Sequence, residues 1–414
     1  MGKHRPDALA PRYLEQFRCI GSACPESCCT GWTVSIDKAS YQQYRQVKIE
    51  PLATLVRESV QRIPDGTGRN YARIRLGQDS SCPLLDEQKL CRIHSELGEK
   101  ALSRTCSNYP RIYGIDDDRH IASATLSCPE SARLALTEHT ALDPITLLLP
   151  FANAQLVPLS YKRMKPADDQ GDPVLVHAKL IAHAVDGLVR LPTLNAAQSL
   201  VQAGLMLRRL ARIEARGQAG TLELARTIEH YLAPQHLANV PTLMNNLPVQ
   251  RTAQLSMLFE TTQRYLSKHG GRPSFVALIN DVQAGLKLEQ GLESAVANLD
   301  AALHQRWSPL EAQHPQLLKN YLLNDLTKSL FPRQDILGIE REFMDLALRF
   351  ALIKFYLLGL AALRGPDFGI DDVVRVVYVV VRNIEHNNSF MTAVMDDLAA
   401  RDALRLDVLA TLVL

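Results

Sequence analysis

The sequence predicts a mostly α-helical chain: a small cysteine-rich head with short strands, followed by a multi-helix bundle. Three observations carry this expectation. All eight cysteines lie between positions 19 and 128, and none follows. From about 173 onward, apolar residues recur at the helical period, with breaks at Pro192, Gly217, Pro234, Pro241, Gly270-Gly271, Gly291, Pro309, Pro332 and Gly365-Pro366. Between the two parts, Pro144, Pro150, Pro158 and Pro166 punctuate a stretch that ends in Asp168-Asp-Gln-Gly-Asp172. The expected division is a head over 1–141, a linker over 142–172 and a helical domain over 173–414.

In order, residues 1–18 form a polar lead-in with Tyr13, Leu14 and Phe17 at helical spacing. A cysteine-rich loop follows, broken by Gly21, Pro25 and Gly31. Trp32–Ile36 alternates as a short strand, and Asp37 is placed to cap a helix over 39–47. Residues 51–63 read as a second helix, stopped by Pro64-Asp65-Gly66. Tyr71–Leu76 alternates again and is expected to pair with the 32–36 strand. A turn returns Cys91 towards Cys82, 93–101 is a short helix, and 102–111 is loop-like. After an Asp116–Asp118 turn comes a strand over 121–126, then a helix over 131–139 with Pro129 at its start. Beyond the linker, helices are expected over 173–190, 195–215, 220–232, 249–268, 273–287, 290–305, 310–330, 337–363, 370–388 and 389–413. No repeat of fixed period argues for a solenoid.

Composition narrows the function classes. A net charge of +2 supplies no field for nucleic-acid binding, and 46% hydrophobic with 22% charged residues is ordinary for a globular chain. The apolar stretch Phe343–Leu363 carries Asp345, Arg349 and Lys354, so it reads as a core helix and not a membrane span. The N-terminus shows no apolar run of a secretory signal. Cytoplasmic localisation, without membrane or nucleic-acid partners, is the expectation.

The cysteines are Cys19, Cys24, Cys28, Cys29, Cys82, Cys91, Cys106 and Cys128. Disulfides need an oxidising compartment, so grouped thiols here point to metal ligands. Zinc favours two close cysteine pairs. The spacings of this chain are irregular, which a cluster larger than one ion tolerates. Cys128 precedes a helix, where the positive end favours a thiolate. Zinc, an iron–sulfur cluster and inert buried thiols all remain open at this point. No dinucleotide or phosphate loop, H-E-x-x-H or G-x-S-x-G motif occurs.

Two distal segments stand out. Arg382, Glu385 and His386 share one face of an apolar helix, where a Glu–His pair could serve a substrate amine or staple the helix end. Asn320 and Asn324 lie one turn apart on another helix and are expected at its surface.

Cys19-Ile-Gly-Ser-x-Cys24-x3-Cys28-Cys29-x-Gly-Trp32 resembles the opening signature of the flagellin lysine-N-methylase family. The likeness continues through Cys82-Pro-Leu-Leu, Leu90-Cys91-x-Ile, Leu102-Ser-x-Thr-Cys106-x2-Tyr109-Pro110-Arg111 and Leu126-Ser-Cys128-Pro129-Glu130. It returns in Asn320-Tyr321, Leu330-Phe331-Pro332 and Arg382-x-Ile-Glu385-His386. The resemblance implies S-adenosylmethionine-dependent methylation of flagellin lysines and a [4Fe–4S] centre, or zinc, held by the eight cysteines. It puts Glu385, His386 and Arg382 forward as catalytic residues and Trp32, Tyr109, Arg111, Asn320 and Tyr321 as cofactor-binding residues. A non-enzymatic zinc-binding adaptor and a thiol redox sensor using Cys28-Cys29 are the competing readings.

Overall fold

The structure, a computed structural model, describes residues 6–116, 119–149, 173–214, 221–333, 336–403 and 405–414. Contacts group the chain into two units. One comprises Phe17–Ile112 and Cys128–Glu130; the other comprises Met1–Gln16, Tyr113–Ser127 and Ser131–Leu414. All eight cysteines belong to the first. The strands in chain order are β1 (Asp7–Pro11), β2 (Ser35–Ile36), β3 (Val60–Arg62), β4 (Ala72–Ile74), β5 (Arg111–Asp116), β6 (Arg119–Ala124) and β7 (Pro144–Leu148).

The cysteine-rich unit is built on a three-stranded sheet ordered β2-β4-β3, with both pairings antiparallel. The expected pairing of the 32–36 and 71–76 segments is therefore present, and β3 completes the sheet. β3 lies where the sequence suggested the end of a helix: that helix stops at Ser59, and Val60 turns to extended backbone. Asp37 caps the next helix, Lys38–Tyr44, by accepting the Ser40 N–H at 3.0 Å. It also accepts the Arg104 N–H at 3.2 Å, tying two distant segments together. The stretch 102–111 is not all loop. Ser103 accepts the Cys106 N–H and caps a short helix, Arg104–Asn108. Val34, Ile36, Leu52, Val56, Ile74, Leu84 and Ile93 close a small core against which Cys29, Cys91 and Cys106 pack.

The second unit holds a mixed sheet ordered β5-β6-β1-β7. β1 runs parallel to β6 and antiparallel to β7, with Asp7 opposite Leu148 and Pro11 opposite Pro144. Neither β1 nor β7 was expected: the first lies in the polar lead-in, the second in the proline-punctuated stretch. Both strands are short and carry proline at an end, which hides the alternation on which a sequence reading depends. The remainder of the expected linker, 150–172, lies outside the described residues, as do part of the Asp116–Asp118 turn and the break at Gly217.

The rest of this unit is helical, as the periodicity implies. Its spine is the helix Ile336–Arg364, with Phe350, Ile353, Tyr356 and Leu357 fully buried. Among the described residues, one helix, spanning Gly338–Asp367, is long and apolar enough to cross a membrane; most of it is buried among its neighbours. Pro273–Leu286 packs on the spine backbone to backbone. A Cβ on Gly285 would come within 2.1 Å of the Gly359 carbonyl oxygen, and one on Gly359 within 2.5 Å of Val282. Two expected helices are divided. His314 leaves helical geometry ahead of Pro315, giving Ser308–Gln313 and Gln316–Ser329. The C-terminal segment splits into Asn388–Ala400 and Leu406–Val413. The helix Ile370–Val380 continues into a π-turn over Val381–Glu385.

Candidate functional site

The cysteine-rich unit gathers its thiols by backbone stitching. The Cys82 N–H donates to the Cys29 carbonyl at 2.8 Å, Thr30 bridges to Ser81, and Leu85 bridges to Cys91. These bonds bring the 28–31 loop, the 80–85 turn and the start of the helix Arg92–Leu97 to one place. The Cys28 and Cys29 sulfurs are 3.9 Å apart. Cys29 is pushed far up from the ordinary thiol range by its hydrogen bond with Cys28, then by burial and by Cys28, Cys82 and Cys91. Burial raises Cys82 to about 11 and Cys106 to about 12, with the neighbouring thiols adding to it; Cys91 is raised for the same reasons. Five thiols, Cys28, Cys29, Cys82, Cys91 and Cys106, thus feel one another's charge.

Three others complete the cysteine set of the unit. Cys24 donates to the Glu26 carbonyl at 3.1 Å, Cys19 is exposed, and Cys128 is buried one residue ahead of the helix Pro129–Thr137. None of the eight is in a disulfide. Among the described residues, no three Cys, His, Asp or Glu side chains are placed to hold one ion as they stand. The donor chemistry nevertheless suits a thiophilic metal. A cation offsets the mutual repulsion that keeps buried thiols protonated, and deprotonated thiols are its natural ligands.

The aromatic residues of the signature border this group. Trp32 donates its indole N–H to the Cys28 carbonyl at 2.6 Å, and its ring lies 5.9 Å from that of Tyr109. Arg111 stacks its guanidinium over Phe17 at 4.9 Å.

In the helical unit, the distal residues converge on a buried ion network. Arg349 donates to both oxygens of Asp325, at 2.8 and 3.1 Å, and to Asp345 at 3.0 Å. Lys328 is paired with Asp325 at 2.8 Å and also with Glu385, which lies 3.5 Å from Arg349. The Tyr321 hydroxyl is buried beside Arg349. Burial alone would raise Asp325, but Arg349 and Lys328 overcome it and hold the carboxyl far below its usual range. Burial lowers Lys328. Of the two roles the sequence left open for Glu385, the ion-paired one at the helix end is what its geometry shows.

His386 follows the π-turn and is exposed. It is held down to about 4 by crowding of the ring and by the cations Lys328, Arg272 and Arg382; with the ring partly open, the cations are the firmer cause. Arg382 is buried on the same turn. Asn383 fixes the turn. Its carbonyl accepts Tyr265 Oη at 2.9 Å, its side-chain oxygen accepts the Arg272 backbone N–H at 3.2 Å, and its amide donates to the Val379 carbonyl at 2.8 Å. π-turns of this kind are frequent at functional sites.

Asn320 and Asn324 are buried, not exposed. Asn320 donates to the carbonyls of Ala135 and Glu138 at 2.8 and 2.9 Å. Asn324 donates to the Ala124 carbonyl at 3.1 Å and accepts Tyr13 Oη at 2.8 Å. Both amides spend their bonding capacity pinning the chain, because a buried backbone carbonyl without a partner is costly. The sequence reading missed Asp325, Lys328 and Arg349. Their only signal is the acidic and basic residues inside otherwise apolar helices.

Comparison with known proteins follows these lines. Residues 187–412 match a family profile described as the FliB lysine N-methylase C-terminal domain. Residues 18–129 match a profile described as a zinc- or iron-chelating domain, a description that leaves the metal open. The chain is 25% identical over 387 residues to the lysine-N-methylase of Salmonella typhimurium, covering 91% of this chain and 92% of that protein. The lysine-N-methylase of Salmonella choleraesuis matches to the same extent. The flagellar biosynthetic protein FliU of Salmonella muenchen is 33% identical over 133 residues, 32% of this chain and 78% of that one. No solved structure gives a significant match.

Proposed function

The chain belongs to the FliB lysine N-methylase family, and from that premise we propose that it transfers methyl groups from S-adenosylmethionine to lysine side chains of flagellin in the cytoplasm. The observation that carries the siting is the convergence of Tyr321, Lys328, Arg349 and Glu385 at the π-turn that presents His386 and Arg382.

The donor supplies an activated methyl on a sulfonium. Transfer forms the lysine N–C bond and breaks the C–S bond, whose electron pair returns to sulfur. Only a neutral amine has the lone pair for this, and free lysine has a pKa near 10.4. With Glu385 committed to Lys328 and Arg349, His386 is the group at this turn left to meet the amine. Uncharged at neutral pH, it accepts an amine N–H hydrogen bond and orients the lone pair. Arg382 holds the carboxylate of the donor. The cysteine set led by Cys28, Cys29, Cys82, Cys91 and Cys106 would hold the metal centre, read as [4Fe–4S] with zinc as the alternative, and Trp32 and Tyr109 border that set. Iron with stoichiometric sulfide supports the cluster, and zinc without colour supports the alternative.

His386→Gln tests the siting. Methyl addition to flagellin, measured by mass spectrometry per folded protein, is expected to fall about 10²-fold, with metal content and melting unchanged. Wild-type turnover in this variant removes His386 from the reaction.

A further inference from the structure

The small sheet of the cysteine-rich unit has one face in the core and one in water. Along β4, Ala72 and Ile74 are buried, whereas Arg73 and the following Arg75 are exposed. The ladder extends past both ends of the strand. Tyr71 donates its N–H to the Ile36 carbonyl at 3.0 Å, and Arg75 donates its own to the Ser59 carbonyl at 2.8 Å. Tyr71, Arg73 and Arg75 therefore share the outer face, with Ser35 and Gln61 flanking Arg73 on the two neighbouring strands. Two more exposed cations gather at Tyr71. Lys38 Nζ lies 5.8 Å from its ring centre and the Arg62 guanidinium 5.1 Å, while Tyr41 meets the same ring edge-on.

Lys38, Arg62, Arg73 and Arg75 thus line a strip about 13 Å long, four residues of extended chain. Among the described residues none of the four is in an ion pair. Arg57 and Arg92 of the same unit, by contrast, are paired with Glu50 and Glu96. The nearest acids along the chain do not neutralise the strip: Glu58 and Asp65 are exposed and in no ion pair, and Asp79 accepts the Ser81 N–H at 2.9 Å. We propose that this strip docks an acidic, extended stretch of the protein substrate. Carboxylates two residues apart in such a stretch repeat at about 7 Å, the spacing of Arg73 and Arg75 along β4, and the guanidinium fork suits a carboxylate. The proposal rests on the methylase reading above and adds how the substrate protein is recognised away from its reacting lysine. Two other partners fit less well. The Tyr71 ring is already met by two cations and is not open to stack a nucleic-acid base. No large apolar side chain is exposed on the strip to enter a membrane.

Arg73→Glu with Arg75→Glu reverses two charges on the outer face and leaves the buried side of β4 intact. The milder pair Arg73→Gln with Arg75→Gln serves if the reversed protein folds poorly. Two readouts use the full chain with its metal. Anisotropy of a labelled peptide alternating glutamate and threonine is expected to show binding to wild type that weakens as salt is raised, and a Kd about tenfold higher in the reversed variant. For flagellin methylation, KM is expected to rise by a similar factor with kcat unchanged, the mark of lost uniform binding. Arg73→Lys with Arg75→Lys, which keeps the charge, should regain most of both. Equal peptide affinity in wild type and the reversed variant overturns the strip whether or not methylation is seen. So does an unmoved KM in a working enzyme. Tighter binding of a single-stranded DNA oligonucleotide or of phosphatidylserine vesicles than of the peptide also overturns it. If wild type methylates no flagellin lysine, the function reading fails, and the peptide titration alone judges the strip.

Discussion

The two units hold their polar groups together by opposite means. In the cysteine-rich unit, five thiols are gathered by short backbone bonds between loops and a small sheet, and Cys29, Cys82, Cys91 and Cys106 are pushed up by burial and by neighbouring thiols. In the helical unit, Asp325, Lys328, Arg349 and Glu385 sit on long elements, and each charge is matched by an opposite one a few ångströms away. The first arrangement is completed by something added; the second is complete in itself. It follows that the first should respond to removal of a metal and the second to removal of a single side chain.

The largest expected effect is in the ion network. Arg349→Met leaves Asp325 and Asp345 without their shared partner. Breaking one member of a buried pair costs about 3–5 kcal/mol. Chemical denaturation followed by far-UV circular dichroism should show this loss with metal content retained. The deficit has a pH signature. Asp325 is depressed in the folded protein, so its contribution is present above the ordinary carboxylate range and is lost as pH falls below it. The gap between wild type and Arg349→Met should therefore narrow in acid. A gap independent of pH would break the contrast with the thiol group.

Serine at Cys91 or Cys106 should do the reverse. Bound metal should fall to a small fraction of wild type, and the cysteine-rich unit should become protease-sensitive, because metal binding in such units is folding energy. The helical signal should remain. Full metal in both variants would leave the thiols as ordinary packing.

The smallest effect concerns a pin. Asn324→Leu removes the amide that satisfies the Ala124 carbonyl and the acceptor for Tyr13 Oη. Leaving these buried groups unsatisfied costs about 1–3 kcal/mol. A melting temperature equal to wild type would show that water replaces the amide.

The contrast also explains what the sequence disclosed. Cysteine is rare and its chemistry narrow, so eight of them in one segment marked the metal region without any fold. The helical period marked the second region because apolar residues face a core every three or four positions. Asp325, Lys328 and Arg349 stayed hidden because charged residues on helices usually face water, and nothing local says that these meet one another. Asn320 and Asn324 misled for the same reason: their partners are carbonyls nearly two hundred positions away. β1 and β7 were missed because each is short, ends in proline and finds its partner at long range.

That long range sets an order of assembly. The cysteine-rich unit is continuous from Phe17 to Ile112, with only Cys128–Glu130 added later. It is complete when less than a third of the chain has been synthesised. The helical unit cannot close until Asn324 meets Tyr13, 311 positions earlier. At the usual pace of translation this interval is on the order of tens of seconds. During that time the segments that carry the thiols, Phe17–Ile112 and Cys128–Glu130, are already synthesised, while the second unit still waits for its distal helices.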